Sequence, residues 1–147
     1  MKNENSFSMT VLSKSSNESF VRSVVSAFAL SLDPTVEEIS DIKTAVSEAV
    51  TNCIVHAYKD TIGKIYINCD IKDNILTVKI RDRGIGIENI EQAMEPLFTT
   101  SDDERAGLGF AVMQSFMDSI RVRSVVGKDT MVTLKKHISV RYATKKQ

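Results

Sequence analysis

The chain has 147 residues and 19 basic and 19 acidic side chains, so its formal net charge at pH 7 is zero. Its length suits one domain with a hydrophobic core, and 42% hydrophobic with 26% charged residues is typical of a globular protein. The charge balance argues against a large basic surface for nucleic acid, and no apolar run in the sequence approaches the roughly 18 residues of a membrane span.

The two cysteines, Cys53 and Cys69, lie on apolar faces of a predicted helix and a predicted strand. Cysteines in such positions are typical of small core residues in a reducing compartment, not of a disulfide framework or a metal site. The first five residues also lack the apolar core of a signal peptide. We therefore expect a cytoplasmic protein with a single domain over residues 1–147, of which 139–147 form a frayed tail.

A first strand is predicted near the N-terminus, where Phe7, Met9 and Val11 alternate with polar residues. A strand so close to a terminus is expected at the edge of a sheet, where it can pair with another chain. Asn17 is then a candidate cap for a helix. The apolar stripe predicted for this helix consists of Phe20, Val21, Val24, Val25, Phe28 and Leu32.

Arg22 and Glu18 lie off that stripe, one helical turn apart. One interpretation is a solvated surface pair that contributes about 0.2–0.5 kcal/mol. The other is a binding site for a partner protein. The sequence by itself leaves both open.

A second, longer helix is predicted to begin at a T-x-x-E capping box, Thr35 to Glu38, and to extend to about Tyr58. Its apolar residues at helical spacing are Val36, Ile39, Ile42, Ala45, Val46, Ala49, Val50, Cys53 and Ala57. The polar residues Glu48, Asn52 and His56 follow one another at intervals of four, so they are expected on one face.

Glu48 and Asn52 are candidates for a site at the rim of the core. An asparagine supplies a neutral oxygen ligand for Mg²⁺, which prefers oxygen ligands and often retains waters and phosphates. A carboxylate one turn away can accept a proton from a hydroxyl group or a water. The alternative is the hydrated edge of an amphipathic helix, and for His56 we favour that alternative, as a hydrogen-bonded, half-buried side chain.

Two alternating apolar runs, 65–71 and 76–80, predict a hairpin that ends in the motif Asp82-Arg83-Gly84-Ile85-Gly86. A carboxylate accepts hydrogen bonds and donates none, which at the end of a strand suits an exocyclic amine such as that of adenine. Glycine at 84 and 86 permits positive φ and a close approach to a flat ligand. The alternative for the motif alone is a tight turn capped by Asp82.

The segment after the motif is predicted to contain a short helix over 89–94, stopped by Pro96, and a polar stretch, 97–105. Gly107 and Gly109 then open another helix, with Leu108, Val112, Phe116 and Met113 as its inward residues. Free backbone N–H groups at such a helix start can bind an anion, so the polar stretch is a candidate lid over phosphates. Arg105 is the nearest cation and can reach a terminal phosphate; alternatively it is a surface charge of the lid.

Two last strands are predicted around Ile120 with Val122 and Val132 with Leu134, joined by residues 126–129. Helical stripes that are apolar on one side only, together with alternating strands, predict an α/β two-layer sandwich of the α+β kind. Its sheet is expected to be mixed but mostly antiparallel, with the helices on one face.

The order of these motifs resembles the ATPase superfamily of gyrase, histidine kinases and the mismatch-repair protein MutL. The shared features are E-x-x-x-N on a helix, D-x-G-x-G after a strand, a lid, and G-x-G opening a helix. Within the superfamily the chain resembles the anti-sigma factor kinases of spore-forming bacteria over residues 4 to 138. The segments that carry this likeness are 17–20, 32–35, 47–52, 96–100 and 132–137.

The resemblance implies a Bergerat-type ATP-binding fold and one ATP-binding kinase domain. Such proteins bind a sporulation sigma factor as a homodimer, and with ATP and Mg²⁺ they phosphorylate a serine on a small antagonist protein. The resemblance implies no direct contact with nucleic acid or membrane. Two alternatives are a nucleotide-gated sigma-binding module without catalysis and a stress-response relative that holds another sigma factor.

The resemblance also implies roles for individual residues. Asn52 would hold Mg²⁺, Glu48 would be the base, and Arg22 would contact the sigma factor. Asp82 would bind the adenine amine of ATP or ADP. The residues implied at the base are Gly84, Gly86 and Thr130, and those implied at the phosphates are Thr99, Thr100, Arg105, Gly107 and Gly109.

One position departs from the family pattern. Relatives usually place a Gly-Thr pair before the last strand, whereas this chain has Asp129 followed by Thr130. Thr130 retains the hydroxyl expected near adenine, but Asp129 leaves the local turn geometry open.

Overall fold

The computed structural model describes residues 4–94 and 105–140, with side chains from residue 109 onward in the second range. The strands are β1 (Glu4–Leu12), β2 (Lys64–Lys72), β3 (Ile75–Asp82), β4 (Ser119–Val125) and β5 (Asp129–His137). The helices are α1 (Ser16–Ala29), α2 (Val36–Asn52), α3 (Ile90–Ala93) and α4 (Arg105–Phe116). A short 3₁₀ turn, Leu30–Leu32, follows α1, and a π-helical turn, Cys53–Ala57, follows α2.

The sheet has five strands within the described residues, in the order β1-β2-β3-β5-β4. Each of its four pairings is antiparallel. The predicted sandwich with a mostly antiparallel sheet is confirmed, and the described strands contain no parallel pair. β1 is an edge strand, as predicted from its place near the N-terminus.

The helices cover one face of this sheet. Along β2, Ile65, Ile67, Cys69 and Ile71 are buried, while the residues between them are partly or fully exposed. Alternation of this kind places successive side chains on opposite faces. The covered face forms one core with residues of α1, α2 and α4, whereas Asn68, Asp70 and Lys79 stay exposed on the other face. The predicted helices on one face are thus confirmed.

The first helix differs from its prediction in its cap residue and in its buried face. It begins at Ser16, and Asn17 is not its cap, because the Asn17 side chain donates to the carbonyl of Leu12 at 2.8 Å. That bond ties the end of β1 to the first turn of α1. Phe20 is 51% exposed and is not part of the buried stripe. Of the other predicted residues, Val21, Val25 and Leu32 are buried, Val24 is buried less completely or equally with them as its position on the helix dictates, and Phe28 is half-buried, and Ala29 is buried beside them.

The second helix confirms its predicted start. The Thr35 hydroxyl accepts a hydrogen bond from the Glu38 amide at 3.0 Å, and Glu38 in turn accepts one from the Thr35 amide at 2.8 Å. These are the two bonds of a capping box. The other Glu38 oxygen accepts from the Ser139 amide at 3.0 Å, so the same side chain fastens the segment after β5. The helical path continues through the π turn to Ala57, close to the predicted end.

The inward face of α4 was only partly predicted. Phe110, Met113 and Met117 are buried, but Val112 is half-buried and Phe116 is 37% exposed. Gly109, Met113 and Met117 follow at intervals of four, so the face that meets α2 starts from the glycine. The side chain of Leu108 lies outside the described residues. In the described chain, no helix has the length and apolar character needed to cross a membrane.

Candidate functional site

Glu48 and Asn52 lie half-buried on the last turns of α2, where that helix meets α4. Gly109 of α4 sits directly over them. A Cβ atom at position 109 would be 3.2 Å from both Oδ1 and Nδ2 of Asn52 and 3.5 Å from Oε1 of Glu48. A glycine is therefore what lets α4 approach this pair so closely, and the structure brings together three residues that the sequence separates by up to 61 positions (48 to 109).

The Asn52 side chain has an unmet hydrogen bond. Its Nδ2 is buried and has no hydrogen-bond partner among the described residues. Leaving a buried polar atom unpaired costs about 1–3 kcal/mol, so such an atom in a native fold calls for a ligand or a water. The orientation of an asparagine amide is assigned from its surroundings, so here either amide atom can face the missing partner.

The residues present fit a magnesium–phosphate group at this point. No group of three or more His, Cys, Asp or Glu that could hold a metal occurs in the described part of the chain. A site with one asparagine oxygen suits Mg²⁺, because this ion often takes one or two protein oxygens and completes its shell with waters and phosphates. Glu48 lies beside Asn52 and is not part of a cluster of acidic residues in the described chain.

The π-helical turn after Asn52 joins this region to the D-x-G-x-G motif. Such turns are rare and frequently occur at functional sites. The carbonyl of Ala57, at the end of the turn, accepts from the Ile85 amide at 3.3 Å. A Cβ at position 84 would lie only 2.3 Å from that carbonyl oxygen. The motif loop is therefore packed against the helix end. His56 is half-buried in the same turn, as predicted.

Asp82, the last residue of β3, is only 4% exposed. Its Oδ1 accepts from the Gly84 amide at 2.9 Å, and its Oδ2 accepts from the Cys53 thiol at 3.6 Å. Burial raises the pKa of Asp82, and the hydrogen bonds from Gly84 and Cys53 partly oppose that rise. Because an ionised carboxylate has about four lone-pair positions, two donors leave acceptor capacity for a ligand amine.

The two glycines of the motif serve different purposes. Gly86 has a φ of 80°, and a Cβ there would lie 2.5 Å from the carbonyl oxygen of Val125. Positive φ and this contact both require glycine. Gly84 does not have positive φ and is needed only for the close approach to Ala57. The predicted positive φ therefore holds for Gly86 alone.

Thr130 lies opposite Asp82 in the β3–β5 ladder and is 7% exposed. Its hydroxyl oxygen is 2.7 Å from that of Ser124. Ser124 donates to the Asp129 carbonyl at 2.9 Å and accepts from the Ile87 amide at 2.7 Å. Since Ser124 has one hydrogen, Thr130 donates in this pair and keeps its lone pairs for a ligand.

Ser124 was missed by sequence reasoning. A serine in an alternating strand carries no local signal of such a role. Only the pairing of β4 with β5, which sets Ser124 opposite Thr130, points to it.

Asp129 opens β5 without positive φ, so its replacement of the usual glycine does not strain the turn. The left-handed position of that turn is Gly127, with a φ of 77°. The Asp129 carboxylate instead accepts from Arg81, with contacts of 3.0 and 3.3 Å to the guanidinium. The turn geometry that the sequence left open is thereby settled.

Arg22 forms the predicted pair with Glu18 at 3.1 Å and also donates to the Ser47 hydroxyl at 3.3 Å. Arg22 thus bridges α1 to α2, and its partner on α2, Ser47, directly precedes Glu48. A cleft of about 420 Å³ runs between the two helices at this point. Its lining consists of Arg22, Ser40, Lys43, Thr44, Ser47 and Glu48.

The remaining predicted residues are those expected at the phosphates. Thr99 and Thr100 lie outside the described residues, as does the side chain of Arg105. In the backbone, α4 begins at Arg105, two residues before Gly107, so the helix starts slightly earlier than predicted.

Comparison with known proteins places these features in context. A family model described as a histidine kinase-like ATPase domain matches residues 13–136. A relative from Caldanaerobacter subterraneus subsp. tengcongensis, named Anti-sigma F factor, is 58% identical, with 94% of this chain and 97% of the relative covered. A Clostridium acetobutylicum protein of the same name is 54% identical, with coverage of 93% and 96%.

A solved structure shares the fold. The RsbU and RsbW domains of a Mycobacterium tuberculosis protein match with a TM-score of 0.68 at 18% identity. The match covers 93% of this chain and 33% of that one.

Proposed function

Because the chain belongs to the histidine kinase-like ATPase domains, and among them to the anti-sigma F factors, we propose that it inhibits a sigma factor and phosphorylates a serine of an antagonist protein. The resemblance stated from the motifs is confirmed by these relatives. The chain is accordingly an anti-sigma factor with an ATP-using, kinase-type domain. We further propose that the sigma factor is a sporulation sigma factor and that the antagonist is phosphorylated on serine.

The observation that carries the proposal is the continuity of the site. Asn52, whose buried Nδ2 has no partner among the described residues, is followed directly by Cys53, which contacts the buried Asp82. A ligand with an amine-bearing base at one end and phosphates at the other fits such a site, with the base at Asp82 and the phosphates at Asn52. ATP is such a ligand.

At the base end, Asp82 accepts the exocyclic amine of adenine. The Gly84 amide and the Cys53 thiol already engage one oxygen each, and they fix the carboxylate for that contact. Thr130, held by Ser124, offers a second polar contact across the ladder. Gly84 and Gly86 leave the space beside the base free of side chains.

At the phosphate end, Asn52 supplies an oxygen ligand to Mg²⁺, which when bound with ATP neutralises phosphate charge. Glu48 takes the proton of the antagonist's serine hydroxyl. As that proton leaves, the serine oxygen forms a bond to the γ-phosphorus and the bond to the β-phosphate oxygen breaks, releasing ADP. Thr99, Thr100, Arg105, Gly107 and Gly109 are proposed to bind the phosphates.

Partner binding is proposed on two surfaces. Arg22 contacts the sigma factor from the edge of the cleft that also contains Glu48. β1 presents an unpaired edge in the described sheet, and this edge supports a homodimer. Since a sigma factor works with cytoplasmic RNA polymerase, we also propose a cytoplasmic location, without direct contact to nucleic acid or membrane.

The proposal is tested with purified protein, a sporulation sigma factor and its antagonist. We expect ATP-dependent phosphate transfer to an antagonist serine, identified by mass spectrometry, and capture of the sigma factor in the presence of nucleotide. Capture without transfer would support instead a nucleotide-gated binding module. Transfer with preference for a stress-response sigma factor would support the other alternative, and the absence of both activities would refute the proposal.

A further inference from the structure

Cys53 and Cys69 are both buried, at 4% and 1% exposure, but their surroundings differ. Cys69 lies on β2 within the apolar core and makes no hydrogen bond to a carboxylate among the described residues. Cys53 belongs to the same core on one side and touches the Asp82 carboxylate on the other. A purely space-filling role therefore accounts for Cys69 but leaves the Cys53 contact unexplained.

The contact completes a clamp on the Asp82 carboxylate. Oδ1 is held by the Gly84 amide at 2.9 Å, and Oδ2 is held by the Cys53 thiol at 3.6 Å. The carboxylate is 4% exposed, so water contributes little to its orientation. Without the thiol, one oxygen would have no protein donor in the described chain, and the side chain would be free to turn about its last bond.

We propose that Cys53 is a positioning residue for base selection: its thiol holds the Asp82 carboxylate as an acceptor aimed at the exocyclic amine of adenine. This inference rests on the proposed role of Asp82. Cys53 acts through Asp82 and does not itself touch the nucleotide. It also directly follows Asn52, so one backbone segment positions both the base-reading and the phosphate-side groups.

Through Asp82, Cys53 affects how the site discriminates between purines. Adenine presents an amine donor at the position where hypoxanthine presents a carbonyl acceptor. A fixed acceptor favours the first and repels the second, because an unmatched buried polar pair is costly. A carboxylate that is no longer held can turn away, which weakens the contact with the amine and relieves the conflict with the carbonyl.

The test compares ADP with inosine diphosphate, both measured by calorimetry on the full chain. The variants are Cys53→Ala, which removes the donor, Cys53→Ser, which retains one, and Cys69→Ala as the matched control for loss of a buried thiol. Cys53→Val, which fills the space without a donor, replaces Cys53→Ala if that variant does not fold. Denaturant unfolding of each variant separates stability from binding.

We expect Cys53→Ala to weaken ADP binding by about three- to tenfold, the range of one modest hydrogen bond. Binding of inosine diphosphate should weaken less or improve, so the preference for ADP falls. Cys53→Ser should restore the preference, and Cys69→Ala should leave it at the wild-type value even if it lowers stability. An unchanged preference in Cys53→Ala, or an equal loss in the serine variant, would overturn the inference.

Asp82→Asn separates this inference from the function on which it rests. If that variant keeps wild-type ADP affinity, the proposed base-binding role of Asp82 is wrong. If it loses ADP binding while Cys53→Ala keeps the wild-type preference, the role of Asp82 stands and only the role of Cys53 is wrong.

Discussion

Replacing Gly109 with alanine should stabilise the helix but disturb the geometry of the site. An interior helical glycine is less favourable than alanine by about 0.8–1.0 kcal/mol, so the substitution by itself favours the fold. The new Cβ would lie 3.2 Å from both amide atoms of Asn52, which is tighter than an ordinary van der Waals contact of 3.4–4 Å. Because Nδ2 of Asn52 has no partner in the described chain, this side chain can yield by a few tenths of an ångström.

That small movement should matter for activity. Mg²⁺ requires nearly ideal octahedral geometry with ligands at about 2.0–2.1 Å, so it tolerates little displacement of an asparagine oxygen. Disturbing a group that orients a metal ligand typically costs about 10–100-fold in metal affinity or activity. We therefore expect phosphate transfer by Gly109→Ala to fall by about that factor and to need more Mg²⁺, while the unfolding midpoint stays level or rises.

The assay is single-turnover phosphate transfer to the antagonist across a Mg²⁺ titration, with denaturant unfolding in parallel. Gln114→Ala is the matched control, because Gln114 is an exposed residue of the same helix. It should leave transfer and its Mg²⁺ dependence unchanged. Wild-type transfer and Mg²⁺ dependence in Gly109→Ala would refute the placement of the metal ligand beneath α4.

The remaining predictions concern the base, the proton acceptor and the partner surface. Asp82→Asn should abolish ADP binding in calorimetry, because its amide can present an N–H where an acceptor is needed; unchanged affinity would refute the assignment. Burial raises the pKa of Asp82, and the adenine amine needs the ionised carboxylate. On acidification, ADP affinity should therefore begin to fall at a higher pH than it would if the aspartate were exposed. Glu48→Gln should reduce single-turnover transfer by about 10²–10⁴-fold with little change in ADP affinity or sigma capture; a wild-type transfer rate would show that Glu48 is not the base. Arg22→Ala should weaken sigma binding in a pull-down while the fold and ADP affinity persist, since the Arg22 side chain is 38% exposed; unaltered capture would count against a contact role.

Local features of this protein were determined by the sequence. The capping box of Thr35 and Glu38 depends on residues three apart, and the hairpin that delivers Asp82 depends on alternation and a short turn. Such features involve neighbours along the chain, so their residue types are sufficient to predict them. The order of the motifs likewise identified the family, because each motif is short and contiguous.

The tertiary structure decided which of these elements meet. A helical period shows that one face is apolar, but it does not show how far the helix rotates against its neighbour. The buried face of α4 starts from Gly109 for that reason, and Phe116 stays partly exposed. Asn17 likewise does not cap α1, because its side chain donates to the Leu12 carbonyl at the nearby end of β1.

The connections within the site are of the same kind. Cys53 and Asp82 are 29 positions apart, and Ser124 and Ile87 are 37 apart. Each contact depends on strand register and on the packing of the π turn against the motif loop, which are long-range properties of the whole fold. A cysteine on an apolar face and a serine in a strand carry no local sign of those partners, so only the folded chain reveals them.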